Sequence, residues 1–153
     1  MIRVAINGFG RIGRSVLKAG ISDKHIEFVA INDLTDTRTL AYLLKYDSVY
    51  GTFPGKIGVK GNNLVVNGKT IQILNERNPE QLPWSKLKID AVIESTGIFR
   101  EKPDAIKHIK AGAKRVIISA PSKSADFTFV LGVNHHKLKK EHKMLSMASC
   151  TTN

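Results

Sequence analysis

Two groups of residues, near opposite ends of the chain, have types and spacings that could carry chemistry. Residues 8–13 read Gly-Phe-Gly-Arg-Ile-Gly, and the only cysteine, Cys150, stands between Ser149 and Thr151. A glycine turn that opens a helix can bind a diphosphate on its free N–H groups. A thiol at the start of a helix faces backbone N–H groups and the positive end of the dipole, which favour the thiolate. The pair predicts covalent redox chemistry that uses a dinucleotide.

The glycine turn has the context that its mechanism requires, because it follows a short apolar strand ending at Asn7 and precedes a helical pattern. In such a turn Gly8 allows the sharp bend, Gly10 lets a diphosphate approach the backbone, and Gly13 packs helix against strand. Asp33 ends the second strand, about 20 residues further on, where a carboxylate accepts hydrogen bonds from ribose hydroxyls. A carboxylate there repels a 2′-phosphate, which predicts NAD rather than NADP. The alternative is that Asp33 only caps the next helix.

The thiol also has a structural alternative, because a lone cysteine is often buried and inert. Its position after an apolar run favours function, since ligands of open α/β sheets bind beyond the carboxyl ends of the strands. The hydroxyls of Ser149 and Thr151 could bind an anionic oxygen, and N–H groups there could stabilise developing negative charge.

A thiol nucleophile normally needs a histidine as its base. We predict surface positions for His25 and His108, which stand among lysines and in turn-like or helical contexts. The remaining histidines fall in a lysine-rich segment and are predicted to be solvated: His135, His136 and His142. None is an obvious base, and no cluster has metal-ligand spacing, so no metal site is predicted.

The elements that must position these residues alternate between strand and helix, which predicts an α/β fold of the Rossmann type, a doubly wound and mostly parallel sheet. Asn67-Gly68 between β-rich runs predicts an antiparallel hairpin insertion. The predicted strands are 2–6, 26–31, 57–60, 64–66, 69–74, 90–94, 115–119, 128–131 and 144–147. The predicted helices are 11–19, 37–46, 103–111 and, weakly, 133–141, with one helical turn in 78–84.

Composition limits the class of protein. A chain of 153 residues with 42% hydrophobic residues can form one domain with a substantial core. No apolar stretch approaches the roughly 20 residues of a membrane span, no signal peptide is recognisable, and one cysteine fits a reducing cytoplasm. The net charge of +11 could indicate nucleic-acid binding. The lysines are not interleaved with aromatic residues, so we favour solvated helix faces that also steer anionic ligands inward.

Five segments of this sequence closely resemble the signatures of the glyceraldehyde-3-phosphate dehydrogenase family, in the same order and spacing. They are 7–14 (Asn-Gly-Phe-Gly-Arg-Ile-Gly-Arg), 32–36 (Asn-Asp-Leu-Thr-Asp), 44–51 (Leu-Lys-Tyr-Asp-Ser-Val-Tyr-Gly), 94–97 (Glu-Ser-Thr-Gly) and 148–153 (Ala-Ser-Cys-Thr-Thr-Asn). The resemblance covers only the nucleotide-binding half of such an enzyme. It implies an NAD-binding domain over 1–148 and the start of the active-site helix over 149–153, with the catalytic domain absent.

The resemblance also implies roles for single residues. Asn7 and the three glycines would form the cofactor turn, with Arg11 and Ile12 over the pyrophosphate. Asp33 would hold the adenine ribose and Arg77 would lie along the adenine. The remaining cofactor contacts would be Thr96, Gly97, Phe99 and, on the nicotinamide side, Ser119. Cys150 would be the nucleophile, with Ser149 and Thr151 binding substrate or inorganic phosphate.

By the same resemblance, the cofactor is NAD and the substrates are a small phosphorylated aldehyde and inorganic phosphate. The thiolate attacks the aldehyde, hydride leaves the thiohemiacetal, and phosphate releases the thioester as an acyl phosphate. The intact family is homotetrameric, cytoplasmic and glycolytic. Because the family's catalytic histidine lies in the absent half, this chain is expected to bind NAD without turning over aldehyde. Two alternatives stay open: erythrose-4-phosphate dehydrogenase, and a non-catalytic module that binds NAD or RNA.

Overall fold

The structure of the protein is a computed structural model that describes residues 1–152. Three α-helices lie in that range: α1 (Arg11–Gly20), α2 (Thr37–Lys45) and α3 (Lys102–Lys110). Its strands are β1 (Ile2–Asn7), β2 (Ile26–Asn32), β3 (Tyr46–Asp47), β4 (Gly51–Thr52), β5 (Ile57–Lys60), β6 (Asn63–Val66), β7 (Lys69–Leu74), β8 (Ala91–Glu94), β9 (Arg115–Ile118), β10 (Phe127–Thr128) and β11 (Met144–Ser146).

The main sheet winds outward in both directions from β1. Its strand order is β10-β11-β9-β8-β1-β2-β7-β6-β5, and every neighbouring pair from β10 to β7 is parallel. The order reverses between β1 and β8, so a topological switch point lies between these strands, where open α/β sheets bind ligands. The predicted α/β, doubly wound and mostly parallel fold is therefore confirmed.

The hairpin insertion extends the β7 edge of the sheet. β5 and β6 pair antiparallel, as do β6 and β7, while β7 itself runs parallel to β2. Asn67 and Gly68 form the turn between β6 and β7 with φ angles of 50° and 80°. Both angles are positive, as a tight hairpin turn of this kind requires. The predicted insertion and its turn are confirmed.

Alternate side chains of the central strands enter different hydrophobic clusters. Val4 and Ile6 of β1 pack with Leu17 of α1 and Leu40 of α2, whereas Ala5 faces a cluster built around Trp84. A third cluster packs beneath α3: Ala105, Val116, Ile118, Ala120 and Met144. Helices therefore cover parts of both faces, and the strand ends are held between rigid layers.

The main departures of the structure from the sequence prediction lie in three segments. Helix α2 ends at Lys45, and the next residues form an unpredicted two-stranded sheet of β3 and β4. Strand β10 begins one residue before the predicted 128–131 and is only two residues long. The predicted helix over 133–141 was wrong, because it is limited to a 3₁₀ turn, His135–Lys137. Its apolar residues Val133 and Leu138 are five positions apart and share no helix face, and Lys137 and Lys140, three apart, would repel each other on a helix.

Candidate functional site

The sequence-predicted site residues lie at one edge of the sheet. The strands from β11 to β7 are parallel, so their carboxyl ends meet at the same edge. Each of these strands is followed by one site residue. In the order of the sheet they are Cys150 after β11, Ser119 after β9, Thr96 after β8, Gly8 after β1, Asp33 after β2 and Arg77 after β7. The ends of β11 and β2 are four strand spacings apart, or about 19 Å at about 4.8 Å each. The edge can hold an extended ligand with a nucleotide at each end.

The glycine turn has the geometry of a diphosphate cradle. Gly8 has φ +90°, and a Cβ there would lie 2.7 Å from the Thr96 nitrogen. A Cβ on Gly13 would lie 2.3 Å from the Gly8 carbonyl oxygen, so this glycine lets α1 approach the turn. A Cβ on Gly10 would meet no protein atom within 4 Å. The space over Gly10 is open, as required for a ligand that approaches the backbone.

The start of α1 is uncapped by side chains. Gly10 is its N-cap residue, no side chain accepts a hydrogen bond from its first turn, and the first turn carries no acidic residue. The N–H groups there form the positive end of the helix dipole, and no side chain accepts from them, which favours an anionic ligand. A diphosphate therefore fits the residues that are present.

Asp33 is held at this turn and does not cap α2. Its Oδ2 accepts a hydrogen bond from the Phe9 N–H at 2.7 Å, and its Oδ1 accepts one from the Thr35 N–H at 2.9 Å. The N-cap of α2 is Asp36, which accepts from the Thr39 N–H at 3.0 Å. Each carboxylate oxygen of Asp33 retains a lone pair, so it can also accept from ribose hydroxyls.

The segment after β7 is fixed beside Asp33 by two asparagines. Asn32 accepts from the Glu76 N–H at 2.8 Å and donates to the Glu76 carbonyl at 2.9 Å, while the Asn75 side chain donates to the Asp33 carbonyl at 3.2 Å. Arg77 is exposed and directly follows Glu76. The structure thus places Arg77 near the end of the edge where Asp33 lies.

The guanidinium of Arg11 is directed away from the turn. Its Nη1 lies 3.2 Å from Oδ1 of Asp47, which also pairs with Lys18 at 3.3 Å. Hydrogen bonds from the Val49 and Tyr50 N–H groups, helped by these two cations, hold the pKa of Asp47 well below its usual range. What Arg11 can offer a diphosphate in this arrangement is its backbone N–H.

A cavity of about 600 Å³ joins the thiol to the first turn of α1. Five of its lining residues are among those predicted for the site: Ile12, Ser119, Ser149, Cys150 and Thr151. The rest of its wall is mainly apolar, with Ile93, Ile117 and Phe129. The thiol is exposed to solvent in this cavity. The structure therefore brings together residues from the two ends of the chain.

Ser149 makes the hydrogen bonds of a helix N-cap. Its Oγ accepts from the Thr151 N–H at 3.3 Å and from the Thr152 N–H at 2.9 Å, the second and third positions after it. No helix is formed over the described residues 149–152, and Asn153 lies outside the described range. The helix start over 149–153 therefore stays a prediction, although the hydrogen bonds of its N-cap are present.

A buried polar cluster, missed by the sequence analysis, lies beneath the glycine turn and consists of Asn7, Trp84, Glu94, Thr96 and His108. The prediction that His108 lies on the surface was wrong, because the residue is 0% exposed. Its Nε2 lies 2.8 Å from Oε2 of Glu94, and its Nδ1 lies 3.0 Å from Nε1 of Trp84. The lysines beside His108 point outward from α3, while the histidine lies on the inner face. Helical spacing from Ala105, also buried, was the available signal.

The turn after β8 contains Thr96, which belongs to this cluster, and Gly97, whose positive φ a glycine adopts without strain. Thr96 donates its N–H and its hydroxyl to Oε1 of Glu94, and Gly97 follows with φ +76° and open space at its Cβ position. Phe99 is half-buried, with the Lys107 ammonium 5.6 Å from its ring centroid. Thr96 and Gly97 thus lie across the switch point from Gly8, whereas Phe99 lies outside the cavity that contains the thiol.

Comparison with known proteins identifies the family. Residues 2–102 match the family model described as "Glyceraldehyde 3-phosphate dehydrogenase, NAD binding domain". The chain belongs to the glyceraldehyde-3-phosphate dehydrogenase family. Proteins named glyceraldehyde-3-phosphate dehydrogenase from Geobacillus stearothermophilus and Thermotoga maritima are each 57% identical to it, covering 99% and 100% of this chain. Glyceraldehyde-3-phosphate dehydrogenase 1 of Bacillus subtilis is 54% identical over 99% of the chain.

Membership in this family makes NAD the cofactor of the domain. The chain covers 46% of the length of each of these three relatives, so it spans less than half of a glyceraldehyde-3-phosphate dehydrogenase. Within residues 1–152, no helix is long and apolar enough to cross a membrane, and no group of three or more potential ligands could hold a metal ion.

The positions of the other histidines are also defined by the structure. His135 and His142 accept hydrogen bonds from the Gly132 and Lys139 N–H groups through their Nδ1 atoms. His25 and His136 are exposed, which confirms their predicted solvation. In the described part of the chain, no histidine lines the cavity that contains Cys150.

Proposed function

We propose that this chain is the NAD-binding part of a phosphorylating dehydrogenase that oxidises D-glyceraldehyde 3-phosphate, with NAD and phosphate, to 1,3-bisphosphoglycerate. The observation that carries the proposal is the cavity in which Cys150 and Ser149 meet Ile12 from the first turn of α1. A nucleophile and a dinucleotide turn that share one cavity are suited to an oxidation through a covalent thiol adduct.

The cofactor would be held along the carboxyl edge of the sheet. The uncapped N–H groups between Gly10 and Gly13 would bind the diphosphate, and the Asp33 carboxylate would accept from the adenine ribose. Three more positions would contact the adenine and the channel towards the nicotinamide: Arg77, Thr96 with Gly97, and Phe99. Ser119 would lie on the nicotinamide side, since it lines the cavity with the thiol. Bound NAD supplies the hydride acceptor.

The thiol and its flanking hydroxyls would act on the substrate. Cys150 follows the cap residue Ser149, and its exposed thiol lines the cavity. A thiol at the start of a helix is favoured as the thiolate. The Ser149 oxygen accepts hydrogen bonds from two N–H groups, which leaves its own hydrogen free to donate to an anionic oxygen. Thr151 would offer a second hydroxyl to the substrate or to inorganic phosphate.

The chain by itself should bind NAD but lack turnover. A thiol nucleophile needs a base, and His108 is enclosed between Trp84 and Glu94 instead of facing the thiol. The other histidines lie outside the cavity of Cys150. The base would therefore come from the part of the enzyme that this chain does not span.

Uncovered apolar surface supports assembly with the rest of the enzyme. A groove of about 910 Å³ runs over one sheet face, with Ile93, Ile117 and Leu145 on its floor. We expect the catalytic part of the enzyme, with its terminal helix, to cover such surface. Tyr42, Val49 and Tyr50 are also exposed, at 64%, 69% and 75%, as in a chain that forms oligomers.

The test is an NAD titration of this chain by calorimetry, with unfolding followed in parallel. Binding to the folded state should raise the free energy of unfolding by about 2.7 kcal/mol at 100-fold excess over Kd. Glyceraldehyde 3-phosphate with phosphate and NAD should yield no NADH from this chain. Absence of NAD binding, or robust NADH production, would contradict the proposal.

Two further measurements separate the alternatives. With the full-length enzyme, faster turnover of erythrose 4-phosphate than of glyceraldehyde 3-phosphate would indicate the related dehydrogenase. For RNA, binding through a basic surface must weaken steeply as salt rises. Tight, salt-dependent RNA binding without NAD binding would favour the non-catalytic module.

A further inference from the structure

The Glu94 carboxylate lies at the end of β8, is 2% exposed and accepts four hydrogen bonds. Its Oε2 accepts from Nδ2 of Asn7 at 2.6 Å and from Nε2 of His108 at 2.8 Å. Its Oε1 accepts from both the N–H and the hydroxyl of Thr96. A carboxylate offers about four acceptor sites, so the hydrogen-bonding capacity of this one is fully used by its surroundings.

Trp84 determines which nitrogen of His108 carries the proton. The indole Nε1–H can only donate, so Nδ1 of His108, 3.0 Å away, must accept. The imidazole proton is therefore on Nε2, where it points at Glu94. Asn7 Nδ2 and His108 Nε2 are 3.4 Å apart and both donate, so they converge on the same carboxylate oxygen.

Within residues 1–152, no Lys or Arg side chain pairs with this carboxylate, and its contact with His108 is a hydrogen bond from the Nε2–H. Burial of a carboxylate is costly unless donors compensate for the lost water. The donors come from β1, from α3 and from the turn after β8, so the charge ties three separate segments together. Asn7 links this hydrogen-bond network to β2, because its Oδ1 accepts from Asn32 at 2.7 Å. Asn32 directly precedes Asp33.

These contacts join the two turns at the switch point. Thr96 is fixed by Glu94, and the position of a Cβ on Gly8 lies 2.7 Å from the Thr96 nitrogen. The Ser95 hydroxyl donates to the Gly8 carbonyl at 2.7 Å. A shift of the turn after β8 would therefore displace the glycine turn as well.

We propose that Glu94 is a positioning residue for NAD, which holds the Thr96 turn and the Gly8 turn in one arrangement by accepting from Thr96, Asn7 and His108. The inference rests on the proposed function. It assigns to a buried acid, which holds the edge residue Thr96 by two hydrogen bonds, control over how well the cradle is pre-formed.

The decisive variant is Glu94→Gln, because a glutamine has one acceptor oxygen in place of two. Its amide nitrogen would face either the pair Asn7 and His108 or the Thr96 N–H, donor against donor. We expect the Kd for NAD to rise by about tenfold or more, since charge-assisted hydrogen bonds at the cradle are lost. Ile71→Val, at a buried position of β7, is the matched control: it reduces stability without touching the cluster.

A second pair of variants keeps the proposal testable if Glu94→Gln fails to fold. His108→Gln can still donate an N–H to Glu94 and accept from the Trp84 indole, whereas His108→Leu offers neither group. The glutamine variant should bind NAD close to wild type and the leucine variant several-fold more weakly. Nitrogen NMR of the imidazole should show His108 protonated on Nε2 in the wild type.

The outcomes separate this inference from the proposed function. A wild-type chain that fails to bind NAD would overturn both. A wild type that binds NAD, together with unchanged Kd values in Glu94→Gln and His108→Leu, would overturn the positioning role alone. An equal loss of affinity in Ile71→Val would also overturn it, because the effect would then follow stability and not the cluster.

Discussion

The substitution Gly10→Ala should separate binding from stability at the glycine turn. Gly10 has an extended backbone, with φ −72° and ψ −160°, outside the left-handed region that disfavours alanine, and a Cβ there meets no protein atom within 4 Å. Alanine is a poorer N-cap than glycine, but Gly→Ala also lowers the entropy of the unfolded chain. These effects oppose each other, so the free energy of unfolding should change by less than about 1 kcal/mol.

NAD binding should suffer far more, because the space over Gly10 is where a diphosphate must approach the N–H groups of α1. A methyl group that displaces the diphosphate from one charge-assisted hydrogen bond costs about 1.5–3 kcal/mol. At 1.4 kcal/mol per factor of ten, the Kd should rise by about 10- to 150-fold.

Calorimetric NAD titration and urea unfolding of three variants test this reasoning. Gly58→Ala in β5 is the matched control, since its Cβ position is equally open and it lies in the hairpin, away from the turn. It should leave the Kd unchanged. Gly13→Ala should lose both stability and binding, because its Cβ would lie 2.3 Å from the Gly8 oxygen. A Gly10→Ala variant with wild-type affinity would refute the assignment of the diphosphate to this turn.

Three other predictions concern charge at separate sites. Asp33→Ala should weaken NAD binding and reduce discrimination against NADP in calorimetry, and an unchanged preference would remove Asp33 from the ribose. Cys150 should react with iodoacetamide faster than free cysteine at neutral pH, whereas equal rates would contradict the helix-start argument. The Arg3 N–H and the Lys114 ammonium lower the pKa of Asp90. Its stabilising contribution is therefore present above the ordinary aspartate range and lost as pH falls through the lowered value. Asp90→Asn should flatten that acid limb in urea unfolding, and an unchanged limb would contradict this cause.

Features that depend on one short segment were predictable from the sequence. The Asn67-Gly68 turn follows from two residues that tolerate positive φ, and both have it. The spacing of Gly8, Gly10 and Gly13 predicted a turn whose three steric roles the structure reproduces. In each case the physical constraint acts on neighbouring backbone atoms, so local sequence is sufficient.

The buried polar cluster was not predictable in this way, because its donors are distant in sequence. Glu94 accepts from residues 7, 96 and 108, and the Trp84 contact orients His108 from 24 residues away. The neighbouring lysines led to the prediction that His108 lies on a solvated face. In the structure those lysines occupy the outer side of α3, and the histidine lies on the inner side. The β3–β4 sheet was also not predicted, because strands of two residues have no detectable periodicity.

The doubly wound topology explains how residues from opposite ends of the chain form one site. Because β1 is central and later strands are added outward, β8, β9 and β11 successively extend one side of it. The turn with Thr96 follows β8 and Cys150 follows β11, while α1 begins at the same edge, just after β1. Ile12 and Cys150 consequently line one cavity. Two strand ends, those of β8 and β9, lie between the thiol and the dinucleotide turn, and Glu94 lies at the first of them. A perturbation of that carboxylate should therefore reach both the cofactor turn and the thiol.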